Sequence, residues 1–316
     1  MRVGTDFNLE SGIMKKIFLH IGMVVAALAV TASCSNDEAE QNVPVQPDKP
    51  DGEGRMTMNV ITRNVDNDYS SEEGIGLFVQ HYNGDVKSDL VASGNYVNNV
   101  EVKKFASGWG LTTPVYWFDE KTLTDFYAYA PYRKDISNSR SMEICVPEDQ
   151  SSDESLASAP FLWGCSLAQS PTSENVSVTL HNILSKVVIK VKLNGNAISD
   201  IKAGDLAVYV NNMKRIANVD LQTGLLTLKD ETASIKTHNN GDFTFTCIVM
   251  PQQTGFVNLL RIDWKNETYE LQGSQTFESQ KIHTLNVTFT KTAADGLDVG
   301  IDGWDIDDED YGGTVE

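Results

Sequence analysis

The sequence is poor in cysteine, histidine and basic residues. Its 316 residues include 4 cysteines and 5 histidines, and 25 lysines and arginines stand against 44 acidic residues, for a formal net charge of −19. A chain this acidic repels phosphate backbones, which argues against nucleic-acid binding. No Cys-x-x-Cys pair and no Cys/His spacing indicates a metal site, so we expect neither a metal ion nor a cofactor.

Motifs of the common enzyme classes are also missing. The chain has no Gly-x-Ser-x-Gly, no His-Glu-x-x-His, no Walker loop and no Gly-x-Gly-x-x-Gly after a strand pattern. His181 lies at the end of a strand pattern, where we expect a hydrogen-bonded structural histidine. We therefore predict a protein that is not an enzyme, while a carboxylate pair for glycoside hydrolysis stays open because its partners would meet only in space.

One long apolar run is present, and it lies near the N-terminus. Two lysines precede the apolar segment Ile17–Val30, which ends in small residues just before Cys34. A basic start, a short apolar stretch and small residues are typical of a secretory signal. We expect a signal peptide over residues 1–33, with Met14 as the true start because two acidic residues upstream do not suit such a segment.

The cysteine after the signal resembles the lipobox of bacterial lipoproteins. Cleavage between Ser33 and Cys34 would leave Cys34 as the first residue, and its acyl chains would hold the protein on a membrane. Thr31 departs from the lipobox pattern, and an ordinary signal with a chance cysteine is the alternative. The segment Ser35–Glu38 resembles the acidic tag that sends Bacteroidetes lipoproteins to the outer face of the outer membrane. Residues 34–54, which are rich in Pro and acidic side chains, predict a linker.

Three cysteines remain if Cys34 carries lipid. Cys247 alternates with apolar residues on one predicted strand face, so we expect a small core residue there. A disulfide between Cys145 and Cys165 is open for an exported protein, and the alternative is that both thiols stay free.

Past the linker, apolar residues recur with a period of two. Turn pairs such as Asn83-Gly84 and Asn194-Gly195 separate these runs. Short strands at this spacing predict an all-β fold of the sandwich type. The alternating runs include Met56–Val60, Val176–Leu180, Val187–Leu193 and Val287–Phe289.

A cluster of Ser, Thr, Pro and Gln over residues 166–175 predicts a domain boundary. It divides the body into halves that each have the size of one sandwich. The predicted organisation is an N-terminal β-sandwich over 55–170, a C-terminal β-sandwich over 171–294, and an acidic strand or tail over 295–316.

Four short motifs occur in order along the body: Thr113–Trp117, Phe126–Tyr132, Phe161–Gly164 and Leu180–Val187. Together with the lipoprotein-like N-terminus, they resemble the fimbrillin family of Bacteroidetes, the subunits and accessory proteins of type V pili. The resemblance covers about residues 34–316 and does not separate shaft, anchor and tip subunits. It implies two tandem transthyretin-like Greek-key β-sandwich domains, a lipidated precursor, a place in a cell-surface fimbrium, and assembly by strand exchange.

In that family an arginine-specific protease removes an N-terminal strand, and the emptied groove accepts a strand from the next subunit. Here the first predicted strand, Met56–Ile61, runs into Arg63 within a polar stretch. The resemblance thus points to maturation after Arg63, with Arg55 as the second candidate. An uncut surface arginine is the other interpretation of Arg63.

The C-terminal segment combines an apolar and an acidic face. Gly303 lies where the alternation shifts by one residue, which predicts a β-bulge. The alternatives to a donor strand are the last strand of its own domain and an exposed acidic tail, and calcium binding by residues 307–310 is disfavoured because their spacing is not that of an EF-hand loop. The predicted donor-strand residues are Leu297, Val299, Ile301, Trp304 and Ile306.

A rival function is a surface lipoprotein that binds glycans through exposed aromatic rings. We favour packing within the sheets for these residues. A glycan binder would expose a row of rings, whereas a pilus subunit would bury them. As partners we expect other fimbrial subunits, the outer membrane through the lipid anchor, a processing protease, and a host or bacterial surface ligand. The rings in question belong to Trp109, Trp117, Trp163 and Trp264.

Overall fold

The computed structural model describes residues 54–63, 74–194, 201–291 and 297–310. The N-terminal part is built of strands with one short helix, α1 (Asp153–Ser158), whose Ser152 side chain accepts a hydrogen bond from Ser155 N. The strands are β1 (Thr57–Arg63), β2 (Ile75–His81), β3 (Val97–Phe105), β4 (Gly108–Leu111), β5 (Thr124–Ala130), β6 (Met142–Cys145), β7 (Leu162–Gln169) and β8 (Asn175–Asn182).

In the described ranges, the C-terminal part continues with strands and one 3₁₀ turn at Ala203–Asp205. The all-β class that the two-residue alternation predicts is therefore confirmed, while the transthyretin-like Greek-key detail stays a prediction. The strands are β9 (Ser185–Asn194), β10 (Leu206–Lys214), β11 (Ile216–Asp220), β12 (Leu225–Leu228), β13 (Thr232–Lys236), β14 (His238–Asn239), β15 (Thr244–Val249), β16 (Gln252–Gln253), β17 (Val257–Trp264), β18 (Glu267–Gly273), β19 (Thr276–Phe277), β20 (Lys281–Lys291) and β21 (Leu297–Asp310).

The N-terminal part forms a seven-stranded sheet in the order β1-β8-β7-β5-β2-β3-β4. Its central strand β5 is buried at every position, because both faces of the sheet are covered. Strand β8, which lies between β1 and β7, instead alternates between buried and more exposed residues, as a strand with one covered face does.

Most of the C-terminal part folds into a four-stranded sheet, β13-β10-β17-β18, and a five-stranded sheet, β14-β15-β9-β20-β21. A small sheet of order β12-β11-β6 pairs β6, from the first half of the sequence, with β11, from the second half. A two-stranded sheet of β16 and β19 completes the described pairing.

The polar cluster at residues 166–175 leads into β8, a strand that belongs to the same sheet as β7. The seven-stranded sheet thus continues across residue 170. The limits of the two predicted domains, 55–170 and 171–294, stay a prediction.

The two faces of the seven-stranded sheet pack into different hydrophobic cores. Phe78, Tyr127 and Tyr129 join a large core that extends through the C-terminal sheets to Val287. The opposite face carries a second core, here called the N-terminal cluster: Met56, Met58, Val60, Ile75, Leu77, Val79, Tyr96, Val97, Val102, Val115, Trp117, Phe126, Ala128, Ala130, Leu162, Val176, Val178 and Leu180.

Candidate functional site

Strand β1 lies at one edge of the seven-stranded sheet. It runs parallel to β8 in an unbroken register from Thr57 opposite Asn175 to Arg63 opposite His181. Among the described strands, β8 is the one that pairs with β1. A strand held along one side leaves a row of backbone groups directed away from the sheet, which is the geometry from which strand exchange proceeds.

The inner face of β1, together with Met56 just before it, supplies part of the N-terminal cluster. Met56, Met58 and Val60 are 2%, 4% and 6% exposed, whereas the residues between them are exposed. The register sets Met58 beside Val176 and Val60 beside Val178. Burial of each Met or Val side chain stabilises the folded state by about 1.5–3 kcal/mol relative to its exposure to water. Removal of β1 would uncover an apolar groove along β8.

The aromatic motif Thr113–Trp117 holds the start of β1 on the side opposite to β8. Met56 N donates to Val115 O at 2.7 Å, and Trp117 N donates to Gly54 O at 2.8 Å. The Trp117 ring is buried in the cluster and its Nε1 donates to Thr172 O at 3.0 Å, just before β8. The groove therefore has a rigid wall at the N-terminal end of β1.

The two candidate cleavage residues occupy the two ends of this strand. Arg63 is the last residue of β1, and residues 64–73 lie outside the described residues. Arg55 is exposed but forms an antiparallel bridge with Tyr116, inside the fastened segment. A cut after Arg63 would separate the whole of β1 from the body, whereas a cut after Arg55 would leave the strand attached.

The predicted donor segment forms β21, which lies at the edge of the five-stranded sheet and pairs antiparallel with β20 of its own chain. The register places Ile306 opposite His283, Trp304 opposite Leu285, Ile301 opposite Val287, Val299 opposite Phe289 and Leu297 opposite Lys291. Of the alternatives that the sequence leaves open, the fold described here has β21 as the last strand of its own sheet.

A register irregularity interrupts the pairing of β20 with β21. Asn286 lies opposite Gly303 and Val287 lies opposite Ile301, so Asp302 is an extra residue on β21. One extra residue on one strand defines a β-bulge. The bulge predicted at Gly303 is confirmed, because the phase shift in the sequence reflects this extra residue.

The described cysteines are free thiols. Cys145 is exposed, Cys165 is half-buried and Cys247 is fully buried in the large core, as predicted for Cys247. No Cys145–Cys165 disulfide is present in the described part of the chain. Arg215 Nη1 donates to Cys145 Sγ at 2.7 Å, and burial raises the pKa of the Cys247 thiol far above its ordinary range.

The four tryptophans proposed as a glycan platform do not form an exposed row. Trp117 is 2% exposed, and Trp109, Trp163 and Trp264 are half-buried against the two cores. Trp163 Nε1 donates to Leu221 O at 2.8 Å, which commits that ring to packing. The exposed row that a glycan binder would need is not formed by these four rings, because each of them packs against one of the two cores.

The remaining sequence predictions concern metal binding and attachment to a membrane. Within the described ranges, no group of three or more His, Cys, Asp or Glu side chains is placed to hold a metal ion. In the same ranges, no helix has the length and apolarity that a bilayer crossing needs. The signal peptide, Cys34 and the linker up to residue 53 lie outside the described residues.

The described residues define an all-β protein with strands at sheet edges and two separate cores. A fimbrillin-like sequence profile matches residues 62–304, which is more than half of the chain. The chain therefore belongs to the fimbrillin-like family, whose members are fimbrial and cell-adhesion proteins of structural type.

Several solved structures of Bacteroides proteins have a related fold. A candidate cell adhesion protein of Bacteroides uniformis superposes with a TM-score of 0.59 at 18% identity, over 83% of this chain and 100% of that one. One from Bacteroides ovatus gives 0.61 at 15% identity, over 80% and 97%. A fimbrial protein of Bacteroides vulgatus gives 0.51 at 14% identity, over 80% and 99%. These likenesses establish the shared fold. Comparison with curated proteins gave no match.

Sequence reasoning missed the residues that surround β1. Val115 and Trp117 appear in the sequence as part of an aromatic motif, and Val176 and Val178 as an alternating strand. Nothing in the sequence joins them to Met58, because β1 and β8 are more than 100 residues apart and pair in parallel. The alternation itself was the available signal, since each segment has one face that needs an apolar partner.

Proposed function

We propose that this protein is a structural or accessory subunit of a cell-surface fimbria that acts in adhesion, exported as a lipoprotein and held on the outer membrane through Cys34. Assembly proceeds by β-strand exchange after a protease removes β1. The observation that carries the proposal is the position of β1, a single edge strand that fills an apolar groove and ends at Arg63.

The groove side of the exchange rests on the pairing of β1 with β8. Seven consecutive residues of β1 pair with β8, and alternate side chains enter the N-terminal cluster. An incoming strand that runs parallel to β8 restores the same backbone hydrogen bonds, and alternate apolar side chains refill the same pockets.

The donor side rests on the pattern of β21. Leu297, Val299 and Ile301 have the two-residue spacing of Met56, Met58 and Val60, which are buried at and just before the start of β1. Strand β21 lies at a sheet edge, so it can leave by breaking its pairing with β20 alone. One chain thus supplies both a strand and the groove that such a strand fits.

An arginine-specific protease of the trypsin type tests the maturation step. After digestion of the folded protein, N-terminal sequencing should find a new terminus at Asn64, and gels of unheated samples should then develop a ladder of oligomers. Arg63→Gln should abolish both the new terminus and the ladder, whereas the matched variant Arg55→Gln should leave both unchanged. A body that resists cutting at Arg63, or that is cut there and stays monomeric, contradicts the proposal.

A further inference from the structure

His283 is a buried imidazole whose two nitrogens have different surroundings. The side chain is 0% exposed and lies on β20, the strand between β9 and the edge strand β21 of the five-stranded sheet. Its Nε2 accepts a hydrogen bond from Glu278 N at 2.9 Å, so the single proton of the neutral ring lies on Nδ1. Nδ1 is buried, and among the described side chains and backbone groups it has no hydrogen-bond partner. A second proton would turn Nε2 into a donor that faces the Glu278 backbone N–H, so this hydrogen bond would be lost. It would also place a cation in an apolar core.

The loop that donates to His283 is fixed. Ser185 Oγ donates to Glu278 O at 2.6 Å, Ser279 Oγ donates to Ile183 O at 2.8 Å, and Gln280 N donates to Leu184 O at 2.9 Å. These three bonds tie the loop to the start of β9, which is itself an interior strand of the sheet. The loop cannot swing away from a protonated ring without breaking them.

The strand on the other side of His283, β21, can separate from the sheet. The register places Ile306 of β21 directly opposite His283, and Val187 of β9 on its other side. Strand β21 is the edge strand, so its departure breaks one row of pairing and leaves the rest of the sheet in place. The departure of β21 would also admit water to the imidazole.

We propose that His283 is an acid-sensitive latch on β21, such that protonation of this imidazole releases the C-terminal strand from the sheet edge while the rest of the sheet stays folded. The inference deepens the proposed function, because the strand that the latch controls is the proposed donor. The charged groups that act on the ring are Glu278 in the fixed loop and Lys281 on β20. In the register, Lys186 of β9 and Asp307 of β21 lie opposite Ile282, and Asp305 of β21 lies opposite Thr284, so these three residues are level with the neighbours of His283.

The direction of the pH effect follows from burial. Burial lowers the pKa of His283 below its ordinary value, and the Glu278 carboxylate offsets part of that shift. Because the pKa of the imidazole is lower while β21 is paired with β20, the neutral ring favours this pairing. The stabilisation is complete at pH values above the ordinary histidine pKa of about 6.5, and it is lost as the pH falls below that value. One proton taken up on release changes the opening constant by at most about tenfold per pH unit.

Amide hydrogen exchange of the uncut protein at pH 7.5 and pH 5.5, corrected for the intrinsic pH dependence of exchange, tests the latch. We expect the opening constant of amides in β20 and β21 to rise up to about tenfold at the lower pH, while amides in β9 and β15 stay protected. His283→Gln, which keeps an acceptor but cannot take up a proton, should remove the rise, and His283→Leu serves if that variant folds poorly. His238→Gln, at the opposite edge of the same sheet, is the matched control and should keep it.

Three results overturn the latch: a rise that persists in both His283 variants, no rise in the unmodified protein, or a rise that spreads equally over all strands of the sheet. These measurements use monomeric protein and are independent of assembly. If β21 is released at low pH but no ladder forms after cleavage, the proposed function is refuted and the latch stands. If a ladder forms but the release of β21 does not depend on pH, the latch is refuted and the proposed function stands.

Discussion

The Trp163 ring lies against Gly224 so closely that a Cβ on Gly224 would be 2.6 Å from Cε3 of the ring. Trp163 belongs to β7 of the seven-stranded sheet, and Gly224 lies in the turn between β11 and β12. The same turn accepts the Trp163 indole hydrogen bond through Leu221 O. Beside it, Arg140 Nε and Asp220 Oδ1 form an ion pair at 2.8 Å. These contacts join the N-terminal sheet to the C-terminal part.

Replacement of Gly224 by alanine should destabilise the protein through two effects. Gly224 has φ of +71°, which an L residue adopts only with strain, and the new Cβ would collide with Trp163. Gly241→Ala is the matched control, because Gly241 has φ of +85° with open space around its Cβ position. In urea unfolding, we expect Gly241→Ala to cost about 1 kcal/mol and Gly224→Ala about 1–3 kcal/mol more. Equal costs would mean that the Trp163 contact adds nothing.

A charge on the inner face of β1 should loosen that strand. Val60→Asp puts an unpaired carboxylate into the N-terminal cluster, at a cost of about 3 kcal/mol or more, while Asn59→Asp changes an exposed neighbour on the same strand. Since β1 is an edge strand, we expect Val60→Asp to detach it and to speed cleavage after Arg63. Cleavage of Val60→Asp at the rate of Asn59→Asp would show that β1 is not a separable element.

The three described cysteines should label in the order of their exposure. Cys145 is exposed, Cys165 is half-buried, and the thiol of Cys247 is fully buried with a raised pKa. An aromatic disulfide reagent should modify Cys145 rapidly in the folded protein, Cys165 slowly, and Cys247 only after unfolding. A Cys145→Ser variant that still shows the rapid phase would contradict this assignment.

Deletion of residues 297–316 should abolish assembly and leave a folded body. The truncated chain loses β21 and exposes the edge of β20, so the midpoint of thermal unfolding should fall while the β-type circular dichroism spectrum remains. Deletion of residues 311–316 alone keeps β21 and is the control, which should assemble normally after cleavage. Collapse of the longer truncation to an unfolded chain would show that β21 is an integral strand rather than a transferable one.

Local pattern was enough to predict the fold class and several details. The alternation over Val176–Leu180 and Val187–Leu193 predicts strands that the structure contains as β8 and β9. The phase shift at Gly303 predicts the bulge, because alternation records on which side of the backbone each residue falls. Cys247 was placed in the core by the same rule.

Pairing between distant segments was beyond the sequence. Residues 166–175 have the composition of a linker, yet the strands on either side belong to one sheet. For Trp163 the sequence favours packing but leaves a surface platform open, and the hydrogen bond of its indole to Leu221 O supports packing. Such choices depend on which distant partner reaches a residue, and composition carries no information about that.

By itself, the amino-acid sequence determined that this protein is built of strands, since its side chains alternate between apolar and polar with a period of two. It also determined where the chain carries an apolar face with no local partner, at Met56–Val60 and again at Leu297–Ile301. Only the tertiary structure decided that β1 lies against β8 and that His283 is enclosed between β9 and β21. Each of these relations joins segments far apart in the chain, and side-chain burial is fixed only when all of them meet.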